Sequence, residues 1–356
     1  MSKPYGLVLS GGGAKGAYQM GAWQAMRELR IKFSSVAGVS IGAINGALIV
    51  SNNYKDAIKL WNSVTLDKGV KIDGELKDPD NLFSSKNYGV LIKEIFKNRG
   101  IDASPSREFL SGCIDEQRVR ESGIPLGFVT YSLSSLSPTE MFIDDIPEGQ
   151  LIDYLLASAK YPGVSKIGPD DQWFIDGGIY DNTPVSLLRR RGINRLIVID
   201  ISSMKGMAHN DDFSCAEIVY IRPYNPEELG ASFDFSDEMI KKRLTMGYLD
   251  AKKAFGRLQG GIYYFSPMTF RGIISRYGVD ACEQLEKLGY EIGLDRLRIY
   301  KEKEFLTSLK LKYMEYELEK SKEDAQNNFL ENIVKKFTKE KNDYPLASAV
   351  LDDIIV

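Results

Sequence analysis

The chain has 356 residues, a formal net charge of -3 and a hydrophobic fraction of 43%. A chain of this length and apolar content can bury one large core or two smaller ones, so we expect one or two globular domains. The small net charge gives no electrostatic reason to expect a nucleic-acid partner. Three widely spaced cysteines and a single histidine predict neither a disulfide framework nor a metal site, and favour a reducing, cytoplasmic compartment.

Strand-like and helix-like stretches alternate along the first two hundred residues. The pattern predicts strands over 5–10, 33–39, 126–131 and 195–200, with a short one ending at Asp176. It predicts helices over 16–29, 41–51, 54–64, 88–98, 105–111, 151–159 and 184–191. Such alternation is typical of α/β proteins, so we expect a three-layer sandwich with a mostly parallel central sheet. The functional site should lie at the carboxyl ends of its strands.

A glycine-rich segment, Gly11–Gly16, follows the first predicted strand and opens the first helix. Successive backbone N–H groups without a Cβ in the way suit an oxyanion hole. A phosphate-binding P-loop does not fit, because Lys15 is followed by Gly16 rather than by Ser or Thr. A dinucleotide site fits the glycine spacing, but the next strand ends without the acidic residue that would hold a ribose.

The second predicted strand leads into Gly38-Val39-Ser40-Ile41-Gly42. This is a Gly-x-Ser-x-Gly pattern, in which a sharp turn between strand and helix exposes a serine hydroxyl at the edge of a sheet. Taken alone, the pattern fits an ordinary strand-to-helix turn equally well. Next to the glycine-rich segment, it favours acyl-transfer chemistry with Ser40 as the nucleophile.

A third segment places a carboxylate, Asp176, at the end of a short apolar strand. The following Gly177 and Gly178 allow the chain to turn tightly. An aspartate in such a place also fits a plain turn, with its side chain bonded to nearby backbone. As the third member of an ordered set, Asp176 becomes the candidate base for Ser40.

Together these segments resemble the patatin-like phospholipase family. The matching pieces are Leu7–Gly21, Val36–Gly46, Ala157–Val164 and Phe174–Val185. They occur in the order of the family and cover the core from about residue 5 to residue 201. The resemblance implies the patatin-like form of the α/β sandwich and a lipid acyl hydrolase activity.

The resemblance also implies roles for individual residues. Ser40 would be the nucleophile and Asp176 the base of a two-residue dyad, with oxyanion donors on Gly11, Gly12 and Gly13. Lys15 stands where the family carries Arg or Lys, and it would add positive potential or hold the loop. Val39 departs from the family pattern, in which many relatives have Thr, without affecting the implied chemistry.

A Ser-His-Asp triad is the alternative to a dyad. His209 is the only histidine, and it follows Asp176 in the chain, so the residue order of α/β-hydrolases is formally met. It lies within the polar segment 205–212, which reads as an exposed loop. We therefore expect Asp176, made more basic by burial, to act without an imidazole.

The sequence thus predicts a serine hydrolase of phospholipids or related lipids that needs neither a metal nor another cofactor. The same residues would serve a non-phospholipid esterase, a thioesterase or an acyltransferase, and the core could instead bind lipid without catalysis. Contact with a membrane is expected to be peripheral.

The remaining segments give weaker signals. We predict a catalytic domain over residues 1–270 and a helical C-terminal extension over 271–356. Ser236–Phe255 has helical periodicity, and Ile299–Lys341 predicts one or two amphipathic helices packed on the core or, alternatively, a membrane or partner surface. The apolar stripe of that second stretch comprises Phe305, Leu309, Tyr313 and Tyr316. The apolar run Leu346–Val356 should dock on a surface that the sequence does not identify.

Two further expectations concern the surface of the site and the membrane. The charged stretch Asp67–Tyr88 is predicted to be irregular and to cover the site as a flap. No signal peptide is apparent before Tyr5. The most apolar stretch, Val36–Val50, is too short to span a bilayer.

Overall fold

The structure is a computed structural model. It describes residues 3–64, 104–132, 134–159, 165–167, 172–202, 216–327, 344–352 and 354. The flap predicted over 67–88, the helix predicted over 88–98 and His209 lie outside these residues. The chain divides into two compact units, Met1–Ala251 and Lys252–Val356. The division predicted after residue 270 stays a prediction.

The first unit is built around one sheet. Its strands are β1 (Tyr5–Leu9), β2 (Phe33–Val39), β3 (Leu126–Ser132), β4 (Ser137–Phe142), β5 (Ser165–Ile167), β6 (Gln172–Asp176), β7 (Arg195–Ile199) and β8 (Glu217–Ile221). The order is β5-β6-β3-β2-β1-β7-β8, with β4 also paired to β3. In the sheet, the five neighbouring strands β3, β2, β1, β7 and β8 run parallel to one another. Strands β4 and β6 pair antiparallel with β3.

Helices surround this sheet. Those described in the first unit are α1 (Ala17–Glu28), α2 (Ile41–Val50), α3 (Tyr54–Ser63), α4 (Ser104–Ser111), α5 (Glu116–Glu121), α6 (Leu151–Ser158), α7 (Val185–Arg189) and α8 (Asp237–Ala254), the last of which continues into the second unit. The prediction of an α/β fold with a mostly parallel central sheet is confirmed. The strands β4 and β8 were not predicted. Strand β4 contains Pro and Glu, and most positions of both strands are partly or fully exposed, so neither strand has a clear apolar pattern.

The centre of the sheet is its most apolar part. All five residues of β1 are buried, since this strand pairs on both sides, with β2 and with β7. Val8, Val39, Val129 and Val198 are fully buried and belong to one cluster with Leu188 of α7. Burial of branched aliphatic side chains in adjacent strands fixes their relative register. The carboxyl ends of β1 and β2 are therefore held side by side.

Helices α1 and α8 cross at two glycines. A Cβ built on Gly21 would lie 1.9 Å from the carbonyl oxygen of Leu244, and one on Gly247 would lie 1.9 Å from that of Tyr18. The Tyr18 hydroxyl donates a 2.8 Å hydrogen bond to Asp250 beside this crossing. The backbones of the two helices thus touch directly, which brings α8 close to the helix that follows the glycine-rich segment.

The second unit is mainly helical. It contains α9 (Pro267–Tyr277), α10 (Val279–Glu291), α11 (Glu302–Asn327) and α12 (Pro345–Asp352), with a two-stranded parallel sheet of β9 (Tyr264–Phe265) and β10 (Ile299–Tyr300). The predicted helical C-terminal part is confirmed, although α9 and α10 were not predicted individually. Its aromatic core includes Tyr263, Phe265, Tyr300 and Phe305.

The predicted apolar stripe of α11 is only partly buried. Phe305 and Leu309 lie in the core of this unit and Tyr313 packs against it, whereas Tyr316 is 42% exposed. The apolar run at the chain end docks within the same unit, through Ala347 and Leu351 of α12. Within the described residues, no helix combines the length and the apolar content needed to cross a membrane.

The glycine crossing yields a stability prediction. Gly247→Ala should lower the free energy of unfolding by about 1–3 kcal/mol, because the new methyl group would force α1 and α8 apart. The matched control is Gly272→Ala in α9, where a Cβ would meet nothing nearer than 3.6 Å. That change should be neutral or stabilising by up to about 1 kcal/mol, because alanine favours a helix. Chemical unfolding followed by circular dichroism measures both, and equal losses would contradict the steric argument.

Candidate active site

Ser40 lies between β2 and α2 in a strained turn. Its φ of 53° falls in the left-handed region, which non-glycine residues rarely adopt. The flanking glycines are required by space: a Cβ on Gly38 would lie 2.3 Å from the Gly42 carbonyl oxygen, and one on Gly42 would lie 2.4 Å from that of Leu9. The turn predicted from the Gly-x-Ser-x-Gly pattern is therefore present, with Ser40 partly exposed.

Asp176 ends β6 and reaches Ser40 across the neighbouring strand. Antiparallel pairing sets Asp176 opposite Thr130 of β3. Its carboxylate is only 5% exposed and accepts a 2.7 Å hydrogen bond from the Gly178 N–H. The Ser40 hydroxyl is a neighbour that lowers the pKa of this carboxyl group. A Cβ on Gly177 would lie 2.2 Å from the Val129 carbonyl oxygen, so the turn after Asp176 packs backbone against backbone.

Burial decides the protonation of Asp176. Removal from water raises the pKa of the carboxyl group, and this effect outweighs the lowering by the Gly178 hydrogen bond and by the Ser40 hydroxyl. The resulting pKa of Asp176 is about 6, compared with about 4 for an ordinary aspartate. A carboxylate of this basicity beside a serine hydroxyl can accept its proton near neutral pH.

Ser158, at the end of α6, holds the backbone of the serine turn. The Ser40 N–H donates to the Ser158 hydroxyl oxygen at 3.0 Å, and the Ser158 hydroxyl donates to the Val129 carbonyl at 2.7 Å. Ser158 is fully buried. Sequence reasoning missed this residue, although it lies in the matching piece Ala157–Val164, because nothing local distinguishes it from a serine that ends a helix.

The glycine-rich segment passes directly beside Ser40. A Cβ on Gly11 would lie 3.2 Å from the Ser40 Cβ. The Gly11 N–H donates to the Asn182 carbonyl at 3.2 Å, so this amide, one of the three predicted oxyanion donors, already has a hydrogen-bond partner. The amides of Gly12 and Gly13 have no hydrogen-bond acceptor among the described residues, and both glycines are half-buried. These two amides remain the candidate donors.

Asn182 joins the glycine-rich segment to the turn after Asp176. Its side-chain amide donates to the Gly11 carbonyl at 3.4 Å. A Cβ on Gly11 would lie 2.5 Å from the Asn182 Oδ1, and a Cβ on Gly178 would lie 2.8 Å from the same atom. Sequence reasoning gave Asn182 no role, since its partner Gly11 lies 171 positions away.

A buried chain of side-chain amides is hydrogen-bonded to the backbone at and beside the glycine-rich segment. Gln19 donates to the Ser10 carbonyl at 2.8 Å, and Asn45 of α2 donates to Gln19 at 2.8 Å and to the Gly16 carbonyl at 3.0 Å. The Trp61 indole N–H in turn donates to Asn45 at 3.0 Å. Satisfied buried polar networks are rigid and specific. This one ties α1, α2 and α3 to both ends of the glycine-rich segment.

Lys15 lies inside the protein rather than at its surface. It is 5% exposed, and burial lowers its pKa, as does the positive charge of Arg243 to a smaller extent. The neighbouring Gly16 packs tightly, since a Cβ there would lie 2.6 Å from the Ile41 side chain. Within the described part of the chain, no group of three or more His, Cys, Asp or Glu side chains is placed to hold a metal ion.

The sequence is similar to those of known proteins. A family model for patatin-like phospholipases matches residues 7–189. Lysophospholipase NTE1 of Kluyveromyces lactis is 25% identical over 304 residues, which are 84% of this chain and 19% of that protein. Patatin-like phospholipase domain-containing protein 7 of Rattus norvegicus is 28% identical over 205 residues, or 55% of this chain and 13% of that protein. The chain thus spans about a fifth or less of the length of these relatives.

Further similarities include a viral protein and a solved structure. Probable lipid hydrolase 463L of invertebrate iridescent virus 6 is 25% identical over 191 residues, or 51% of this chain and 62% of that protein. Among solved structures, VipD from Legionella pneumophila aligns with a TM-score of 0.45 and 15% identity, over 99% of this chain and 79% of VipD. The family model covers just over half of the 356 residues, including Ser40 and Asp176. The chain therefore belongs to the patatin-like phospholipase family of lipid acyl hydrolases.

Proposed function

We propose that this protein is a serine acyl hydrolase that cleaves ester bonds of phospholipids or related lipids through a Ser40–Asp176 dyad. One observation carries the proposal: a serine in a strained turn has as its neighbour a buried carboxylate whose pKa is about 6. A nucleophile beside a base of suitable strength is the basic requirement of covalent acyl transfer. The lysophospholipase name of several relatives supports the choice of phospholipid as substrate.

In the acylation step, the Ser40 Oγ forms a bond to the ester carbonyl carbon while its proton passes to Asp176. The carbonyl oxygen becomes an oxyanion that accepts hydrogen bonds from the amides of Gly12 and Gly13. The carbon–oxygen bond to the alcohol then breaks, and the alcohol leaves with the proton from Asp176. The acyl group stays on Ser40.

Water completes the cycle. Asp176 takes a proton from a water molecule, whose oxygen attacks the acyl carbon through a second tetrahedral intermediate. The bond to the Ser40 Oγ breaks, the serine regains its proton, and the fatty acid leaves. All groups used in both steps lie within Met1–Ala251, in line with the proposed catalytic domain over residues 1–270. A thioesterase or acyltransferase would differ only in the leaving group or the acceptor.

The dyad is tested by single and double substitutions. Ser40→Ala and Asp176→Asn should each lower kcat by about 10³-fold or more, and the double variant should be no worse than either, because the two residues act as one unit. Acyl release from a panel of phospholipids, lysophospholipids and thioesters measures this, with circular dichroism as the check on folding. Multiplicative losses in the double variant would remove one residue from the dyad.

The raised pKa of Asp176 predicts the pH dependence. Because Asp176 must be ionised to accept a proton, kcat/KM should rise with pH through about 6 and then level off. Stability should change in the opposite sense, since the folded protein holds this proton more tightly than the unfolded chain between pH about 4 and about 6. The contribution of Asp176 therefore becomes more destabilising as pH rises through that window.

The same argument predicts that an inactive variant is the more stable one. Above pH 7, Asp176→Asn removes a buried charge, so its free energy of unfolding should exceed that of the wild type by up to about 3 kcal/mol. The gain should shrink as pH falls below about 6 and vanish below pH about 4, where Asp176 is protonated in both the folded protein and the unfolded chain. Thermal unfolding at pH 4.5 and pH 8 measures the difference, and a variant that is less stable at both values contradicts the assigned pKa.

The single histidine separates the dyad from a triad. His209→Ala should leave kcat within about threefold of wild type, whereas a triad enzyme that loses its imidazole falls by orders of magnitude. The rise of kcat/KM near pH 6 should also persist in this variant, because Asp176 sets it. A large loss of activity in a folded His209→Ala protein would replace the dyad by a Ser-His-Asp mechanism.

A further inference from the structure

A chain segment, residues 229–234, packs against the glycine-rich segment and forms a wall beside it. This segment lies beyond the residues matched by the family model. The Ala14 N–H donates to the Ser232 carbonyl at 2.7 Å. A Cβ on Gly13 would lie 2.3 Å from the same oxygen, and Gly13 has a φ of 59°. The wall therefore touches the backbone at and beside the candidate oxyanion donors.

One buried side chain joins this wall to the glycine-rich segment. The guanidinium of Arg243, on α8, donates to the Leu229 carbonyl at 2.8 Å, to the Ala231 carbonyl at 2.9 Å and to the Ala14 carbonyl at 3.3 Å. It also donates to the Asp234 carbonyl. Arg243 is fully buried. The planar guanidinium carries five N–H donors in fixed directions, so it can bind four carbonyl groups at once. The smaller ammonium group of a lysine cannot reproduce this set of contacts.

Arg243 also places a positive charge beneath the segment. Burial lowers its pKa to about 10, with Asp234 acting in the opposite direction, so the guanidinium remains charged at neutral pH. The charge of Arg243 lowers the pKa of Lys15, so its electrostatic effect reaches the glycine-rich segment. The charge that develops on an oxyanion at Gly12 and Gly13 would be attracted to it.

We propose that Arg243 is a positioning residue for the oxyanion hole: it locks the wall 229–234 to Ala14 and so fixes the amides of Gly12 and Gly13. This inference rests on the proposed function, since it assumes that these amides stabilise the oxyanion. It assigns part of the catalytic geometry to α8, a helix outside the matched family core. The glycine crossing of α1 and α8 at Gly21 and Gly247 places that helix at the required distance.

A positioning role has a distinct kinetic signature. Displaced amides stabilise the transition state less and leave substrate binding unchanged. We therefore expect kcat to fall while KM stays constant. Affinity for an inhibitor that forms an oxyanion on Ser40 should fall in the same proportion as kcat. A residue that only stabilises the fold would change the melting temperature without this pattern.

The experiment compares Arg243→Lys and Arg243→Gln with Lys241→Gln, an exposed position on the same helix. Each folded variant is assayed for kcat and KM on the phospholipid that wild type cleaves best, and for inhibition by a trifluoromethyl ketone analogue of that lipid. We expect kcat to fall about tenfold in Arg243→Lys and about a hundredfold in Arg243→Gln, with matching losses of inhibitor affinity and KM within about twofold. Lys241→Gln should match wild type.

Several outcomes would overturn the inference. Unchanged kcat in a folded Arg243→Gln protein would do so, as would a raised KM at constant kcat. Should neither Arg243 variant fold, Gly13→Ala opens the same contact, because its methyl group would displace the Ser232 carbonyl; a normal kcat there overturns the inference as well. A wild-type protein without Ser40-dependent hydrolysis would instead overturn the proposed function on which the inference rests.

Discussion

The site depends on three turns at which a glycine lets the chain pack more closely than a Cβ would allow. Gly38 touches Gly42 within the serine turn, Gly177 touches β3, and Gly11 lies against Ser40 and Asn182. Contacts of this kind require glycine and exclude water from the polar groups they enclose. The parallel strands β1 and β2 and the antiparallel strand β6 lead into these three turns, so the chemistry of the site follows from packing.

Exclusion of water sets the electrostatics of the pair. A solvated aspartate would be too weak a base to activate a serine near neutral pH. Burial of Asp176 raises its pKa to about 6, while the Gly178 hydrogen bond and the Ser40 hydroxyl limit the rise. The same burial makes the folded protein less stable when Asp176 is ionised than when it is neutral. Activity and stability are often opposed in this way. Ser40 adds backbone strain to that cost.

Polar groups far apart in the sequence hold the strained parts in place. Ser158 binds the amide of Ser40, Asn182 binds both backbone groups of Gly11, and Arg243 binds the carbonyl of Ala14. Each of these contacts joins elements separated by more than a hundred residues. A serine in a strained conformation needs such support, because nothing in its local sequence would keep it there.

The sequence by itself determined the parallel sheet, the serine turn and the candidate pair Ser40 and Asp176. It could do so because apolar periodicity and glycine spacing are local properties of the chain. Only the tertiary structure decided the antiparallel pairing of β4 and β6 with β3, the basicity of Asp176, and the engagement of the Gly11 amide by Asn182. These depend on register, burial and hydrogen bonds between distant segments, and folding alone brings such segments together.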